Sequence, residues 1–167
     1  MHSSLLEKFL QDITKAATIE KPAIDLACGG GRNGLYLLSQ GIPVVFADVK
    51  QSVLEEIKAK VEAEPETYDL SLAKFWCIDF ETDDFKGLEE EEYGAIIVFR
   101  YLHRPLMASI KASVSHSGFV IYETFTLKQA ELGRPKNPNF LLKPNELNEI
   151  FSAWRILHKY EGKIKSD

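Results

Sequence analysis

The sequence predicts an α/β fold: a Rossmann-like, doubly wound, mostly parallel sheet of about six strands with helices on both faces. Short apolar runs alternate with segments of helical period along the chain. The apolar runs are continuous rather than alternating, which is typical of strands buried on both faces of a parallel sheet. A glycine cluster, GGGRNG at 29–34, lies between the first apolar run and the next helical segment. Doubly wound folds bind ligands at such a turn.

The chain is predicted to form one domain, in which 1–20 is an N-terminal helix packed on the core and 21–167 is the ligand-binding part. Apolar side chains of the first segment recur at the spacing of one helix face, and Ser3 and Ser4 offer caps. Each later apolar run is bounded by glycine, proline or polar residues, as strands usually are. Strands are predicted at 22–28, 43–48, 70–78, 94–102, 118–125 and 153–160.

The segments between these strands have helical period. Helices are predicted at 32–40, 51–63, 104–115 and 144–152. Gly41 closes the first of them, and Pro144 stands in the favoured first-turn position of the last. The Pro-rich segment 126–142 is predicted to be a polar loop.

Composition excludes several classes of protein. The chain has 20 Lys and Arg against 25 Asp and Glu, a net charge of −5, which argues against a nucleic-acid binder because phosphate neutralisation needs clustered cations. No window approaches ~18 uninterrupted apolar residues, so no membrane span is expected. The histidines and the two cysteines, Cys28 and Cys77, are scattered, and their spacing predicts neither a metal site nor a disulfide framework. A cytoplasmic location is expected.

The glycine loop carries the functional information. Gly29 to Gly34 match the pattern G-x-G-x-x-G directly after a strand and at the start of a helix. Glycines let the backbone approach a ligand, and the helix start presents free N–H groups. Asp48 ends the next strand, 19 residues after Gly29, where an acid accepts hydrogen bonds from ribose hydroxyls. These features alone fit either a dinucleotide or a nucleoside cofactor, and Asp48 could instead only cap a helix.

Asp25 favours the nucleoside cofactor. It lies inside the first strand, where a carboxylate is costly without partners. The string Asp25-Leu-Ala-Cys-Gly-Gly-Gly resembles motif I of class I S-adenosylmethionine-dependent methyltransferases, with Ala27 in place of a glycine. The resemblance implies that Asp25 orders the loop at the methionine end of the cofactor, that Asp48 holds the ribose, and that Asp79 and the next N–H read the adenine edge.

The resemblance extends over about 20–161. The strings YLHRP, YETF and GRPKNPNFLL, which begin at Tyr101, Tyr122 and Gly133, are similar to a small bacterial tellurite-resistance-like branch, in which Arg100 is more often Asn. The implied cofactor is S-adenosyl-L-methionine and the implied acceptor a small molecule. The implied cofactor-binding residues are Asp25, Ala27, Cys28, Gly29, Gly30, Gly31, Arg32, Asn33, Gly34, Asp48, Val49, Asp79, Phe80, Phe99, Arg100 and Tyr101.

The acceptor side is expected after the fourth and fifth strands. His103 is a candidate general base because the ordinary pKa of histidine lies near neutrality, and Tyr122 is a second candidate. A structural role remains an alternative for both. Three residues in the long loop after the fifth strand, Arg134, Lys136 and Asn137, could form a lid or bind an anionic acceptor, and a solvent-facing loop is the alternative.

Two rival functions remain open. The G-x-G-x-x-G pattern is compatible with a nicotinamide-dependent oxidoreductase. The chain could also be a non-catalytic partner protein with a methyltransferase fold.

Chain length raises one further expectation. Class I methyltransferases typically have seven strands, and the residues that follow the predicted sixth strand, 161–167, are few and polar. The seventh strand is therefore expected to be absent. An unpaired sheet edge invites pairing with another chain, so a homodimer through that edge is a hypothesis.

Overall fold

Five parallel strands form a single sheet in the computed structural model, which describes residues 1–88 and 90–164. The strand order is β3-β2-β1-β4-β5. The strands are β1 (Ala23–Leu26), β2 (Val44–Asp48), β3 (Ala73–Cys77), β4 (Tyr93–Phe99) and β5 (Val114–Glu123). The helices are α1 (Ser4–Lys8), α2 (Leu10–Ala16), α3 (Arg32–Ser39), α4 (Gln51–Ala63), α5 (Met107–Ser113), α6 (Gln129–Leu132) and α7 (Glu146–Ile150). Short 3₁₀ turns lie at Leu70–Leu72, Arg104–Leu106 and Pro138–Phe140.

The three central strands are buried along their whole length, which explains their continuous apolar sequences. Side chains of alternating residues point to opposite faces of the sheet. One face packs against α1 to α4 through residues such as Leu6, Leu37 and Ile57. The other packs against α5 and α7 through residues such as Ile110 and Phe151. The predicted doubly wound α/β fold is therefore confirmed.

Asp25 and Asp48 are the charged residues within these central strands. By the alternation of each strand, both belong to the face covered by α3 and α4, because Ala23, Val44 and Phe46 pack there. Asp25 pairs in register with Phe46 of the neighbouring strand, two residues before Asp48. The sheet thus brings both carboxylates to the edge at which the parallel strands have their C-terminal ends, called here the carboxyl edge.

The predicted strand at 153–160 is wrong. Residues 155–160 have no regular secondary structure, so the described residues contain five strands rather than about six. Ile156 and Leu157 are 42% and 46% exposed, whereas a sixth strand would bury one face. Side-chain contacts hold this segment instead: the His158 ring hydrogen-bonds the Lys8 ammonium at 3.0 Å. Residues 161–164 form no strand, and 165–167 lie outside the described residues.

Other elements differ from prediction mainly at their ends. The N-terminal helix is interrupted at Phe9, which separates α1 from α2. The segment 126–142 is less irregular than predicted, because it contains α6 and a parallel bridge between Thr126 and Leu142. In the described part of the chain, no helix combines the length and apolar character needed to cross a membrane.

Candidate cofactor-binding site

The loop between β1 and α3 has an unusual backbone. Ala27, Gly29 and Gly31 adopt positive φ angles of 51°, 52° and 70°. This left-handed region is open to glycine but costs other residues about 1 to 2 kcal/mol. The glycines at 29 and 31 are therefore required by the turn, and Ala27 occupies a strained position where the resembling motif has glycine.

The loop glycines divide into two kinds. A Cβ on Gly31 would lie 2.6 Å from Ile57 Cδ1, and one on Gly34 would lie 2.5 Å from the Phe46 ring. Gly34 lets α3 pack closely on the sheet, and Gly31 lets the start of α3 pack closely on α4. In contrast, a Cβ on Gly29 or Gly30 would meet no atom within 4 Å. The outer side of the loop therefore leaves room for a ligand against the backbone.

Asp25, in β1, holds the glycine loop through a buried hydrogen bond. Its side chain is 2% exposed, and Oδ2 accepts a hydrogen bond from the Gly34 N–H at 2.8 Å. Burial, helped by the nearby charge of Asp48, raises the pKa of this carboxyl to about 7 against the opposing effects of the Gly34 N–H and Arg32. Protonation of Asp25 is therefore balanced near neutral pH.

Asp48, at the end of β2, holds the same loop through a second hydrogen bond. Its Oδ2 accepts from the Gly29 N–H at 2.9 Å, and its Oδ1 accepts from the Lys50 N–H at 3.0 Å. An ionised carboxylate has about four acceptor positions, so two remain for a ligand. The next side chain, Val49, is 55% exposed and presents an apolar surface beside this carboxylate.

The segment after β3 forms a tight turn. Asp79 Oδ1 accepts from the Glu81 N–H at 2.9 Å. Phe80 is buried and packs edge-on against Trp76 and Phe85, with ring centroids 5.9 and 5.4 Å away. These contacts fix the backbone that follows Asp79. Most of the acidic run 79–92 is exposed, and Glu89 lies outside the described residues.

The turn after β4 is held from two sides. Phe99 is buried, and Arg100 has a φ of 57°, in the left-handed region. The Arg100 N–H donates to the Glu123 carbonyl at 2.8 Å, and its guanidinium lies 5.9 Å from the centre of the Phe125 ring. The Tyr101 hydroxyl donates to Glu81 Oε1 at 3.1 Å, which ties this turn to the one after β3.

Tyr122 supports the same turn. Its hydroxyl donates to the Tyr101 carbonyl at 2.8 Å, and burial raises its pKa above the ordinary range. A phenol in this state is a hydrogen-bond donor at neutral pH rather than a base. His103 is half-buried beyond Tyr101.

Three predicted residues take local roles. Arg32 is exposed at the start of α3. Asn33 is buried, and its Oδ1 accepts from the Ser3 N–H at 2.9 Å. The Cys28 thiol lies 3.6 Å from the Gly29 carbonyl, and burial raises its pKa further above neutral, which disfavours a reactive thiolate.

Comparison with known proteins shows the family to which this chain belongs. The family model for "Tellurite resistance protein TehB" matches residues 5–165. The chain belongs to the TehB family. The resemblance predicted from the glycine loop and its acids is thereby confirmed at the level of the family.

Individual TehB proteins are also similar to this chain in sequence and in structure. A Haemophilus influenzae protein named "Probable S-adenosyl-L-methionine-dependent methyltransferase TehB" is 29% identical over 164 residues, covering 90% of this chain and 52% of that protein. The chain thus spans about half the length of the curated relatives it matches. The crystal structure of TehB from Haemophilus influenzae aligns with a TM-score of 0.68 and 21% identity, covering 95% of this chain and 57% of that one.

The fold also matches methyltransferases outside the TehB family. Coclaurine N-methyltransferase bound to N-methylheliamine and SAH aligns with a TM-score of 0.56 and 18% identity, over 74% of this chain and 35% of that one. At this identity the likeness concerns the fold.

Sequence reasoning missed several residues that organise this site. Ser3 reaches the site from the first turn of the chain, because its hydroxyl donates to Glu123 Oε2 at 3.2 Å. Arg104 binds Glu146, which is 42 residues away. No local sequence signal identifies such pairs, since they depend on how distant loops meet.

Proposed function

We propose that this TehB-family chain is an S-adenosyl-L-methionine-dependent methyltransferase with a small-molecule acceptor. The observation that carries the proposal is the open glycine loop held between Asp25 and Asp48 at the carboxyl edge of the sheet. A loop of this kind admits a ligand to backbone N–H groups at a helix start, and Asp48 retains acceptor positions for hydroxyl groups.

Each residue around the loop has a proposed role toward the cofactor. Asp48 accepts hydrogen bonds from the ribose hydroxyls. Val49 offers an exposed apolar side chain for the adenine face. Asp79 and the Phe80 N–H read the adenine edge, and Asp25 keeps the loop ordered through Gly34.

The bound cofactor supplies an electrophilic methyl group on a sulfonium sulfur. Its transfer is a direct displacement, so the protein contributes mainly by aligning the acceptor. His103 is the proposed base for an acceptor that carries a proton. Tyr122 is engaged with the Tyr101 carbonyl, which favours a supporting role.

The segment after β5 is proposed to bind an anionic acceptor. Arg134 and Lys136 are exposed in the segment after β5, and Arg100 lies beside Phe125 at its start. These cations stand in a chain of net charge −5. Asn137, by contrast, is engaged locally, because its Oδ1 accepts from the Asn139 N–H.

Ligand binding tests the cofactor directly. Titration calorimetry with S-adenosylhomocysteine and with NAD should show binding of the first and none of the second. For Asp48→Ala, affinity for S-adenosylhomocysteine should fall by about 1 to 3 kcal/mol, the range for loss of a charged hydrogen-bond partner. Glu66→Gln, an exposed acid on the surface, is the control.

Three outcomes would contradict parts of the proposal. Binding of NAD alone would favour the oxidoreductase. Unchanged affinity in a folded Asp48→Ala protein would remove Asp48 from the site. Cofactor binding without turnover over a panel of thiols, amines and hydroxyl compounds would favour the non-catalytic partner protein.

The proposed setting is cytoplasmic, without nucleic-acid or membrane partners, and both cysteines are free thiols. A homodimer through the outer edge of β5 is also proposed, because β5 pairs only with β4 in the described sheet. Light scattering coupled to size-exclusion chromatography tests this association: a monomer at all concentrations would contradict it.

A further inference from the structure

The Arg104 side chain lies at the centre of a hydrogen-bond network. Nε and Nη2 donate to the two carboxylate oxygens of Glu146, the second at 2.9 Å. Nη1 donates to the Asn139 carbonyl and Nη2 to the Leu141 carbonyl, both at 3.0 Å. Glu146 Oε2 also accepts from the Lys143 N–H at 2.7 Å. This bidentate pairing of a guanidinium with a carboxylate is stronger, and its geometry better defined, than a single neutral hydrogen bond.

The Arg104 network joins two segments that meet at the acceptor side. One is the turn after β4, in which His103 directly precedes Arg104. The other is 137–146, which comprises the last part of the long segment after β5 and the start of α7. In 124–145 regular structure is limited to α6, one 3₁₀ turn and the bridge between Thr126 and Leu142. The Leu142 N–H donates to the Phe125 carbonyl at 2.9 Å, which holds 137–146 to the start of the same segment. The Arg104 side chain is what joins it to the turn after β4.

The electrostatics favour an ionised pair. The hydrogen bond from Arg104 lowers the pKa of Glu146, and the reciprocal bond raises that of Arg104. The Glu146 side chain is 14% exposed and that of Arg104 35%, so water screens the pair only in part. Its contacts therefore persist across the neutral pH range.

We propose that Arg104 is a positioning residue for methyl transfer, which fixes segment 137–146 against the turn carrying His103 and so assembles the acceptor pocket. The inference rests on the proposed function. Direct displacement depends on alignment of the acceptor, and the Arg104 contacts join the two segments from which the acceptor pocket is proposed to be built. Lysine cannot replace Arg104, because an ammonium lacks the planar fork that serves a carboxylate and two carbonyls together.

The test compares Arg104→Lys and Glu146→Gln with Arg155→Gln, an exposed arginine that serves as the charge control. Hydrogen–deuterium exchange of the full chain should become about tenfold faster in 137–146 for the first two variants. Exchange in β1, β2 and β4 should stay unchanged. In NMR spectra at constant pH, the chemical shifts of the His103 ring should change in Arg104→Lys, whereas those in Arg155→Gln should match wild type.

Affinity for S-adenosylhomocysteine separates this inference from the proposed function. It should stay within about twofold of wild type in both network variants. Wild-type protein that binds no S-adenosylhomocysteine would contradict the proposed function, while the exchange and NMR results would still judge the network. Unchanged exchange in 137–146, or unchanged chemical shifts of the His103 ring in folded Arg104→Lys, would overturn the positioning role. Glu146→Gln provides the second exchange measurement if Arg104→Lys fails to fold.

Discussion

The buried Asp25 carboxyl provides a test of the site through the pH dependence of stability. Its pKa is about 7 in the folded protein, against about 3.9 for an ordinary aspartate in the unfolded chain. The folded state therefore binds this proton more tightly. Asp25 destabilises the fold progressively as the pH rises from about 4 to about 7, and the full cost, about 4 kcal/mol as an upper limit, persists above that.

Asp25→Asn removes this cost while keeping an oxygen that accepts from the Gly34 N–H. An amide N–H left without a partner costs about 1 to 3 kcal/mol, so the variant should be about 1 to 3 kcal/mol more stable than wild type at pH 8. The advantage should shrink toward pH 5, where the wild-type carboxyl is protonated in the folded state. Urea unfolding at several pH values measures both quantities, with Glu66→Gln as the surface control. A less stable variant at pH 8, or an equal difference at pH 5 and pH 8, would refute the reasoning.

Three further predictions concern the loop and the acceptor side. Ala27→Gly should raise the free energy of unfolding by about 0.5 kcal/mol, because relief of positive φ outweighs the added chain entropy; a loss of stability in thermal melts would contradict this. Gly34→Ala should lower it by about 1 to 3 kcal/mol through contact with Phe46, whereas Gly30→Ala should change it by less than about 0.5 kcal/mol yet weaken S-adenosylhomocysteine binding. The reverse pattern would exchange the packing and ligand roles of the two glycines. His103→Gln should retain cofactor binding but lose turnover with a protonated acceptor; equal turnover across the pH range would remove its role as base.

Local sequence patterns predicted the central part of the fold well. The helix at 51–63 has the predicted bounds, and the central strands end within three residues of prediction. These elements are defined by periodicity and by flanking glycine, proline and polar residues, which act over a few neighbours. The prediction at 153–160 failed because a short apolar run does not by itself specify a strand: residues 155–160 have no regular secondary structure although the outer edge of β5 is unpaired in the described sheet.

The candidate site also contains some residues that could be predicted from the sequence and others that could not. The glycine loop and its acids could be located from sequence, because the order of parallel strands brings their ends to one edge. The supporting contacts could not: Ser3 reaches Glu123 across 120 residues, and Tyr122 donates to a backbone carbonyl that carries no sequence signature. Only the folded structure distinguishes the Tyr122 phenol, which is engaged as a hydrogen-bond donor, from a phenol that is free to accept a proton.

The amino-acid pattern was sufficient to predict the fold class, the position of the glycine loop and the acids that flank it. Hydrophobic period and backbone torsion preferences are local properties, and they are readable along the chain. The tertiary structure alone decided that the pKa of Asp25 lies near neutrality, that Tyr122 supports a turn, and that Arg104 joins the His103 turn to the segment after β5. Each of these depends on burial or on partners contributed by distant segments, and both arise only when the loops pack together.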